Sequence, residues 1–107
     1  MFIFSVAHVT LPQATAQENA RGVWRATNTD CFIQSFVLDD RGMASVSYSN
    51  GTREQGARWT WGNEGLNIIS ERGVLLMDGH YEDIVLVAEV DYSTTDDVDF
   101  RTCGFTR

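Results

Sequence analysis

Positively charged residues are scarce in this 107-residue chain. It has no lysine: all eight basic residues are arginine, against fifteen aspartates and glutamates, and the formal net charge is −7. Such an acidic field repels phosphate backbones and anionic lipids. The composition therefore argues against a nucleic-acid partner and against binding to a membrane surface.

Proline and histidine are also rare. One proline against nine glycines favours a chain of many turns and extended strands over a helical bundle. His80 is the only histidine after residue 16, and no Cys-x-x-Cys spacing occurs, so the sequence offers neither a zinc site nor a nucleophile with a histidine base. The oxygen-rich stretch 91–99 lacks the central glycine and the bidentate glutamate of a calcium loop, which favours a solvated acidic loop. We predict no catalytic residues, no metal and no cofactor.

The N-terminus carries an apolar stretch, residues 2–11, that is too short to span a bilayer. The small-x-small triplet Ala14-Thr15-Ala16 follows it, as at a signal-peptide cleavage site. We predict that residues 1–16 are a signal peptide with a truncated basic start. Residues 17–107 then form one secreted or periplasmic domain with no membrane-inserted segment. The alternative is that the apolar stretch is a first strand.

Turn-forming residues divide the rest of the chain into eight short segments. Asn50-Gly51 is the strongest short hairpin signal, and Asp39-Asp40-Arg41-Gly42 has the glycine of a tight turn. No helical period persists for more than about two turns after residue 20. The spacing predicts an all-β fold, a small eight-stranded antiparallel up-and-down barrel whose first and last strands meet. The predicted strands are 22–27, 31–38, 43–48, 54–61, 66–70, 74–81, 84–91 and 98–106.

Cys31 and Cys103 are an even pair in a small domain with an export signal, which predicts a disulfide. The alternative is two separate buried thiols. The first and last strands adjoin in a closed barrel, so strands two and eight lie on either side of strand one. Cysteine Cα atoms must approach within about 7 Å to bond. The bond therefore requires strand stagger or a bend in the chain.

Gly22-Val23-Trp24 opens the first predicted strand, and Arg101 and Arg107 lie on or just after the last one. In these residues the chain resembles the calycin superfamily of lipocalin-like barrels. That resemblance implies that Gly22 and Trp24 meet either Arg101 or Arg107 where the barrel closes, in a cation–π contact worth roughly 0.5–2 kcal/mol. Together with the missing catalytic set, it implies a non-enzymatic module that binds a small apolar ligand or a protein partner.

A subgroup of similar barrels, the small bacterial inhibitors of secreted metalloproteases, supplies the alternative function. The resemblance lies in Gly22-Val23-Trp24, Cys31, Trp59 or Trp61, and Gly65-Leu66. Two features differ from that family. Its second cysteine lies in mid-barrel, and its inhibitory N-terminal arm is longer than the roughly five residues left here before the first strand after cleavage.

Four aromatic residues are candidates for a ligand pocket at the barrel mouth: Tyr48, Trp59, Trp61 and Tyr81. The alternative is that they belong to the core, because an eight-stranded barrel either fills its interior with side chains or holds one small ligand. The short predicted strands favour a filled interior.

Overall fold

Alternating apolar residues separated by turn sequences produce strands along most of the chain. The computed structural model describes residues 18–62 and 65–107, so the predicted signal peptide lies outside the described residues. A helical turn at residues 18–20 precedes the strands. Among the described residues, no helix is long and apolar enough to cross a lipid bilayer. The strands are β1 (Gly22–Ala26), β2 (Ile33–Leu38), β3 (Met43–Tyr48), β4 (Arg53–Gly62), β5 (Gly65–Ile69), β6 (Leu75–Glu82), β7 (Val85–Asp91) and β8 (Phe100–Thr106).

The strands form one closed sheet. Each strand is antiparallel to the next, and β8 returns to pair with β1. Closure pairs Arg25 with Thr106 and Ala26 with Phe105. The predicted all-β class, the eight antiparallel strands and the up-and-down order are confirmed.

Predicted and observed strand ends agree to within two residues, and the two largest differences have local causes. β2 begins at Ile33 because Cys31 is still part of a turn, where its N–H donates to the carbonyl oxygen of Asn28. β8 begins two residues later than predicted because the preceding loop closes on itself. The N–H of Tyr92 donates to the carbonyl oxygen of Asp99 at 2.7 Å and ends the pairing there.

The inward-facing side chains fill the barrel. Trp24 and Phe36 are 1% exposed and Phe105 is 0% exposed. The ring centroids of Trp24 and Phe36 are 6.3 Å apart, and those of Phe36 and Phe105 are 5.0 Å apart. An eight-stranded barrel has room for such side chains and little more. The other large side chains under 2% exposed or at that limit are Ile33, Leu38, Val46, Leu66, Ile68, Met77, Leu86 and Val90.

One irregularity changes the inward face of β2. Ile33 and Phe36 are both buried although three positions separate them, because the register against β3 shifts between Ile33 and Ser35. A β-bulge re-aims the residues that follow it in this way. Strict alternation along the strand therefore does not describe which of its residues enter the core.

Cys31 and Cys103 form a disulfide with their Cα atoms 6.1 Å apart, so the predicted bond is confirmed. The chain bends to make it. Cys31 lies in the turn ahead of β2, and β1 stops at Ala26, so the turn reaches past the end of β1 to β8. The two residues are separated by 72 positions. Closing a loop of that length lowers the conformational entropy of the unfolded chain, which stabilises the folded state by about 4 kcal/mol.

The barrel has two distinct ends, which we call the base and the rim. β1 and β3 run from the base to the rim, whereas β2 and β4 run back. The base holds the helical turn 18–20, the loops 39–42 and 83–84, and residue 107. The rim is formed by the loops 27–32, 49–52, 70–74 and 92–99.

Candidate functional site

An arginine and three aromatic rings close the base. The guanidinium carbon of Arg107 lies 4.6 Å from the centroid of the Trp24 ring. The ring centroid of Tyr81 lies 5.9 Å from that of Trp24, and the ring centroid of Trp61 lies 5.1 Å from that of Tyr81. We call these four residues the base cap. Burial raises the pKa of Tyr81, and the positive charge of Arg107 opposes that rise.

Hydrogen bonds attach the N-terminal turn to the base cap. The indole Nε1 of Trp24 donates to the carbonyl oxygen of Ala20 at 2.7 Å, and Nη1 of Arg107 donates to the carbonyl oxygen of Arg21 at 2.6 Å. Ala20 is 1% exposed and belongs to the core. The base is therefore covered by the chain that enters β1 as well as by aromatic rings.

Gly22 has a geometric reason to precede Trp24 by two residues. Its φ is 114°, which L side chains rarely adopt, and a Cβ at this position would lie 2.9 Å from Nη1 of Arg107. A glycine adopts this φ without strain, and its lack of a Cβ leaves room for the guanidinium beside it. The structure places Arg107, directly after β8, over Trp24, whereas Arg101, within β8, lies at the rim.

A second set of an arginine and three aromatic rings closes the rim. The guanidinium carbon of Arg101 lies 4.6 Å from the centroid of the Tyr92 ring, Tyr92 lies 5.7 Å from Phe32, and Phe32 lies 4.7 Å from Tyr48. We call these four residues the rim cap. Arg101 also pairs with Asp99 at 2.9 Å, and that hydrogen bond and charge raise the pKa of Arg101.

Tyr92 connects the rim cap to the disulfide. Its hydroxyl accepts the N–H of Phe32, lies 3.2 Å from the carbonyl oxygen of Asp30, and lies 3.8 Å from Sγ of Cys103. The prediction from sequence missed Tyr92 and Phe32, since it treated Tyr92 as part of a polar loop. An aromatic residue directly after β7, beside a cysteine-bearing strand, was the available signal.

The four aromatic candidates for a ligand pocket do not meet at one place. Tyr48 lies in the rim cap, and Trp61 and Tyr81 lie in the base cap at the other end. Trp59 is 5% exposed, and its indole Nε1 donates to the carbonyl oxygen of Asp39 at 2.9 Å. All four pack within the caps or the core rather than around a shared cavity.

The polar side chains considered above as catalytic or metal-binding groups make hydrogen bonds with neighbouring residues. Nε2 of His80 lies 3.1 Å from a carboxylate oxygen of Glu82, and both side chains are more than half exposed. In the 92–99 loop, Asp91 accepts the N–H of Ser93, and the hydroxyl of Ser93 accepts the N–H of Asp99. In residues 18–62 and 65–107, no group of three His, Cys, Asp or Glu side chains is placed to hold a metal ion.

A hollow of about 280 Å³ opens at the rim, between β8 and the loop that follows β1. It exists because β1 ends at Ala26 while β8 continues to Phe100. The disulfide and Tyr92 contribute to its walls. We call it the β8 notch, and its lining residues are Thr27, Asn28, Asp30, Cys31, Tyr92, Arg101, Thr102, Cys103 and Gly104.

Acidic residues surround the notch and extend along the neighbouring strands. From residue 73 to residue 100 the chain carries eight carboxylates and no arginine or lysine. On the outer face Asp78 and Glu89 stand directly opposite each other on β6 and β7, an arrangement that repels like charges. This side of the barrel attracts cations.

Comparison of the chain with protein-family models, with curated proteins and with solved structures finds no match in any of the three.

Proposed function

We propose that this protein is an exported, lipocalin-like, non-enzymatic binding protein that engages a protein partner through its outer surface. The observation that carries the proposal is the filled interior. Leu66, Met77 and Leu86 are 0% exposed at mid-barrel, and the base cap and the rim cap cover the two ends. A lumen for an apolar ligand requires space that these side chains occupy. Binding is therefore assigned to the surface.

The state of the nucleophiles supports a binding role over catalysis. Both cysteines are joined in the disulfide, so neither supplies a thiolate. The imidazole of His80 is paired with Glu82, and both side chains are more than half exposed. These placements favour recognition through complementary shape and charge.

Export is supported by the disulfide and by the sequence ahead of the barrel. Disulfides persist in oxidising compartments and are rare in the cytosol. Here the bond joins Cys31 to Cys103 and holds the β1–β2 turn against β8. The apolar stretch and the Ala14-Thr15-Ala16 triplet point to the same route. The lipocalin-like assignment is supported by Gly22, Trp24 and Arg107 at the point of closure.

Native mass spectrometry of the protein purified from the envelope of producing cells tests the proposal. The expected species is the chain bound to a second polypeptide, with no small molecule retained. A small apolar molecule retained in stoichiometric amount would overturn the assignment to the surface. As a matched control, Met77→Ala opens space in the lumen of an otherwise unchanged barrel. An apolar fluorescent probe should bind this variant more strongly than the native protein.

Metalloprotease inhibition is the second candidate, and the buried Ala20 favours it. Because the indole of Trp24 bonds to the carbonyl oxygen of Ala20, the residues ahead of it leave the barrel from a fixed point beside the base cap. An inhibitory arm needs such an anchor. Inhibition of a secreted metalloprotease that disappears when residues 17–19 are deleted, with thermal stability unchanged, would establish this function in place of the first.

A further inference from the structure

The edge of β8 beside the notch is open over its first residues. Pairing of β8 with β1 stops at Phe105, whereas pairing of β8 with β7 continues to Phe100. The β1–β2 turn is joined to β8 at Cys103, but among the described residues no backbone hydrogen bond links it to Phe100 or Thr102, and both the turn and Thr102 line the hollow of about 280 Å³. Phe100 is 40% exposed, and Thr102 is exposed as well.

The backbone groups that face this gap follow from the alternation of an antiparallel ladder. The carbonyl oxygen of Gly104 accepts the N–H of Thr27 at 2.9 Å, so the backbone of Gly104 faces β1. The carbonyl oxygen of Asp99 accepts the N–H of Tyr92, so the backbone of Asp99 faces the β7 side. Thr102 and Phe100 share the parity of Gly104. Their N–H and C=O groups thus face the gap, with no β1 partner among the described residues.

The gap is held open by rigid neighbours. The disulfide fixes the β1–β2 turn relative to β8, and the hydroxyl of Tyr92 bonds to the backbone of Phe32 in the same turn. Arg101 is stacked on Tyr92 and paired with Asp99, which keeps its side chain at the rim. Because these contacts are already made, an incoming strand would meet a preformed edge and lose little freedom in the barrel on binding.

The negative charge around the notch favours binding of cationic extended segments over acidic ones. Asp30 lines the notch, and the adjoining 92–99 loop carries Asp96, Asp97 and Asp99. Arg101, the cation at this position, is paired with Asp99. A partner segment with lysine or arginine side chains is favoured here, whereas an acidic one is repelled.

We propose that the edge of β8 at Phe100–Thr102 is a docking site for an extended cationic segment of a partner protein, which adds to the barrel as a short further strand. The inference rests on the proposed function and names its surface and class of partner. Main-chain hydrogen bonds to Thr102 and Phe100 supply the affinity, and the acidic loop supplies the selection for positive charge. Phe100 and Thr102 point outward, where alternate side chains of the segment would lie.

A short fluorescein-labelled peptide of alternating threonine and arginine is the probe, and fluorescence anisotropy is the readout. The first control is the same peptide with alternate backbone nitrogens methylated, which keeps its charge and removes its donors. We expect the methylated peptide to bind at least about tenfold more weakly, as loss of one or two such hydrogen bonds implies. Equal binding of the two peptides would overturn strand addition. A glutamate-for-arginine peptide that binds as well as the probe would overturn the selection for cations.

Thr102→Pro supplies the matched protein variant. The N–H that it removes lies on the β1 side of β8 rather than in the β7 ladder, which is the position an edge strand tolerates for proline. Thr102→Ala is its control, because both variants lose the hydroxyl bond to Glu89 and only the proline loses the N–H. Thr102→Pro should weaken binding about tenfold relative to Thr102→Ala. Equal affinities of the two variants would contradict the proposal.

Amide hydrogen exchange on the native protein avoids dependence on the folding of any variant. The amide of Thr102 should exchange at least about tenfold more slowly when the probe is bound, since it becomes hydrogen-bonded. Unchanged exchange would overturn the assignment of the site. If the protein self-associates and the amide of Thr102 is protected without peptide, the site binds a second copy of this chain, and the assignment to a different partner protein is wrong. If no peptide binds but native mass spectrometry finds a protein partner, this inference fails and the proposed function stands.

Discussion

Replacing Arg107 by alanine tests how much the base cap stabilises the closed barrel. Its guanidinium carbon lies 4.6 Å from the Trp24 ring centroid, a contact worth about 0.5–1 kcal/mol at an exposed position. The hydrogen bond from Nη1 to the carbonyl oxygen of Arg21 adds about 1.5 kcal/mol, the lower end of the range for a charged donor. We expect Arg107→Ala to lower the free energy of unfolding by about 2 kcal/mol.

Urea unfolding followed by tryptophan fluorescence and far-ultraviolet circular dichroism measures this loss. With a slope of about 1–2 kcal/mol per molar urea for a domain of this size, the midpoint should fall by about 1–2 M. Arg101→Ala is the matched control, since it removes the same kind of side chain six residues earlier, within β8, and also uncovers an aromatic ring. The Arg101 side chain is 62% exposed and pairs with Asp99, two residues away at the rim, so we expect a smaller loss and unchanged fluorescence of Trp24.

A double-mutant cycle with Trp24→Phe then isolates the pair. If the guanidinium and the indole interact, the sum of the losses in unfolding free energy of the two single variants should exceed the loss in the double variant by at least about 0.5 kcal/mol. An unchanged midpoint for Arg107→Ala would refute the reasoning. So would strict additivity in the cycle, or a larger loss from Arg101→Ala.

Three further predictions concern the disulfide, one glycine and one tyrosine. Replacing Cys31 and Cys103 by serine should lower the free energy of unfolding by about 4 kcal/mol. The far-ultraviolet spectrum at low urea should stay that of a β-sheet. Equal urea midpoints for the variant and the native protein would contradict the loop estimate. Gly22→Ala should cost about 1 kcal/mol more than Gly51→Ala in urea unfolding, since both have positive φ but only the first Cβ meets a guanidinium; equal losses would show that no collision occurs. Burial raises the pKa of Tyr81, so the stability that its neutral form contributes is complete below about pH 10 and is lost as the pH rises through the folded-state pKa. Urea midpoints in alkaline solution should therefore fall less for Tyr81→Phe than for the native protein, and parallel profiles would assign the decline to another group.

The hairpins could be predicted because their information is local. Asn50-Gly51 and the turn ending at Gly42 mark reversals within a few residues, and the segments between them alternate as half-buried strands do. The bulge between Ile33 and Ser35 could not be predicted in this way. It is imposed by pairing with β3, which lies elsewhere in the chain, and it changes which side chains of β2 enter the core.

The partner of Trp24 required information that the sequence does not carry. Arg101 and Arg107 lie six positions apart with the same parity, so either can face inward, and only the stagger between β1 and β8 decides which one reaches the indole. In contrast, the separation of Tyr48 from Trp61 was predictable. Tyr48 ends β3 and Trp61 lies near the end of β4, and antiparallel neighbours end at opposite sides of a sheet.

β8 and the residue that directly follows it, Arg107, supply the arginine of each cap and one half of the disulfide. During synthesis, all three contacts can be present only after the seven residues of that strand and Arg107 have left the ribosome. A chain halted before Phe100 would present the flanks of β1 and β7 bare, as templates for pairing with neighbouring chains. The barrel consequently closes later than its hairpins form, and copies that lack β8 are prone to aggregation and degradation.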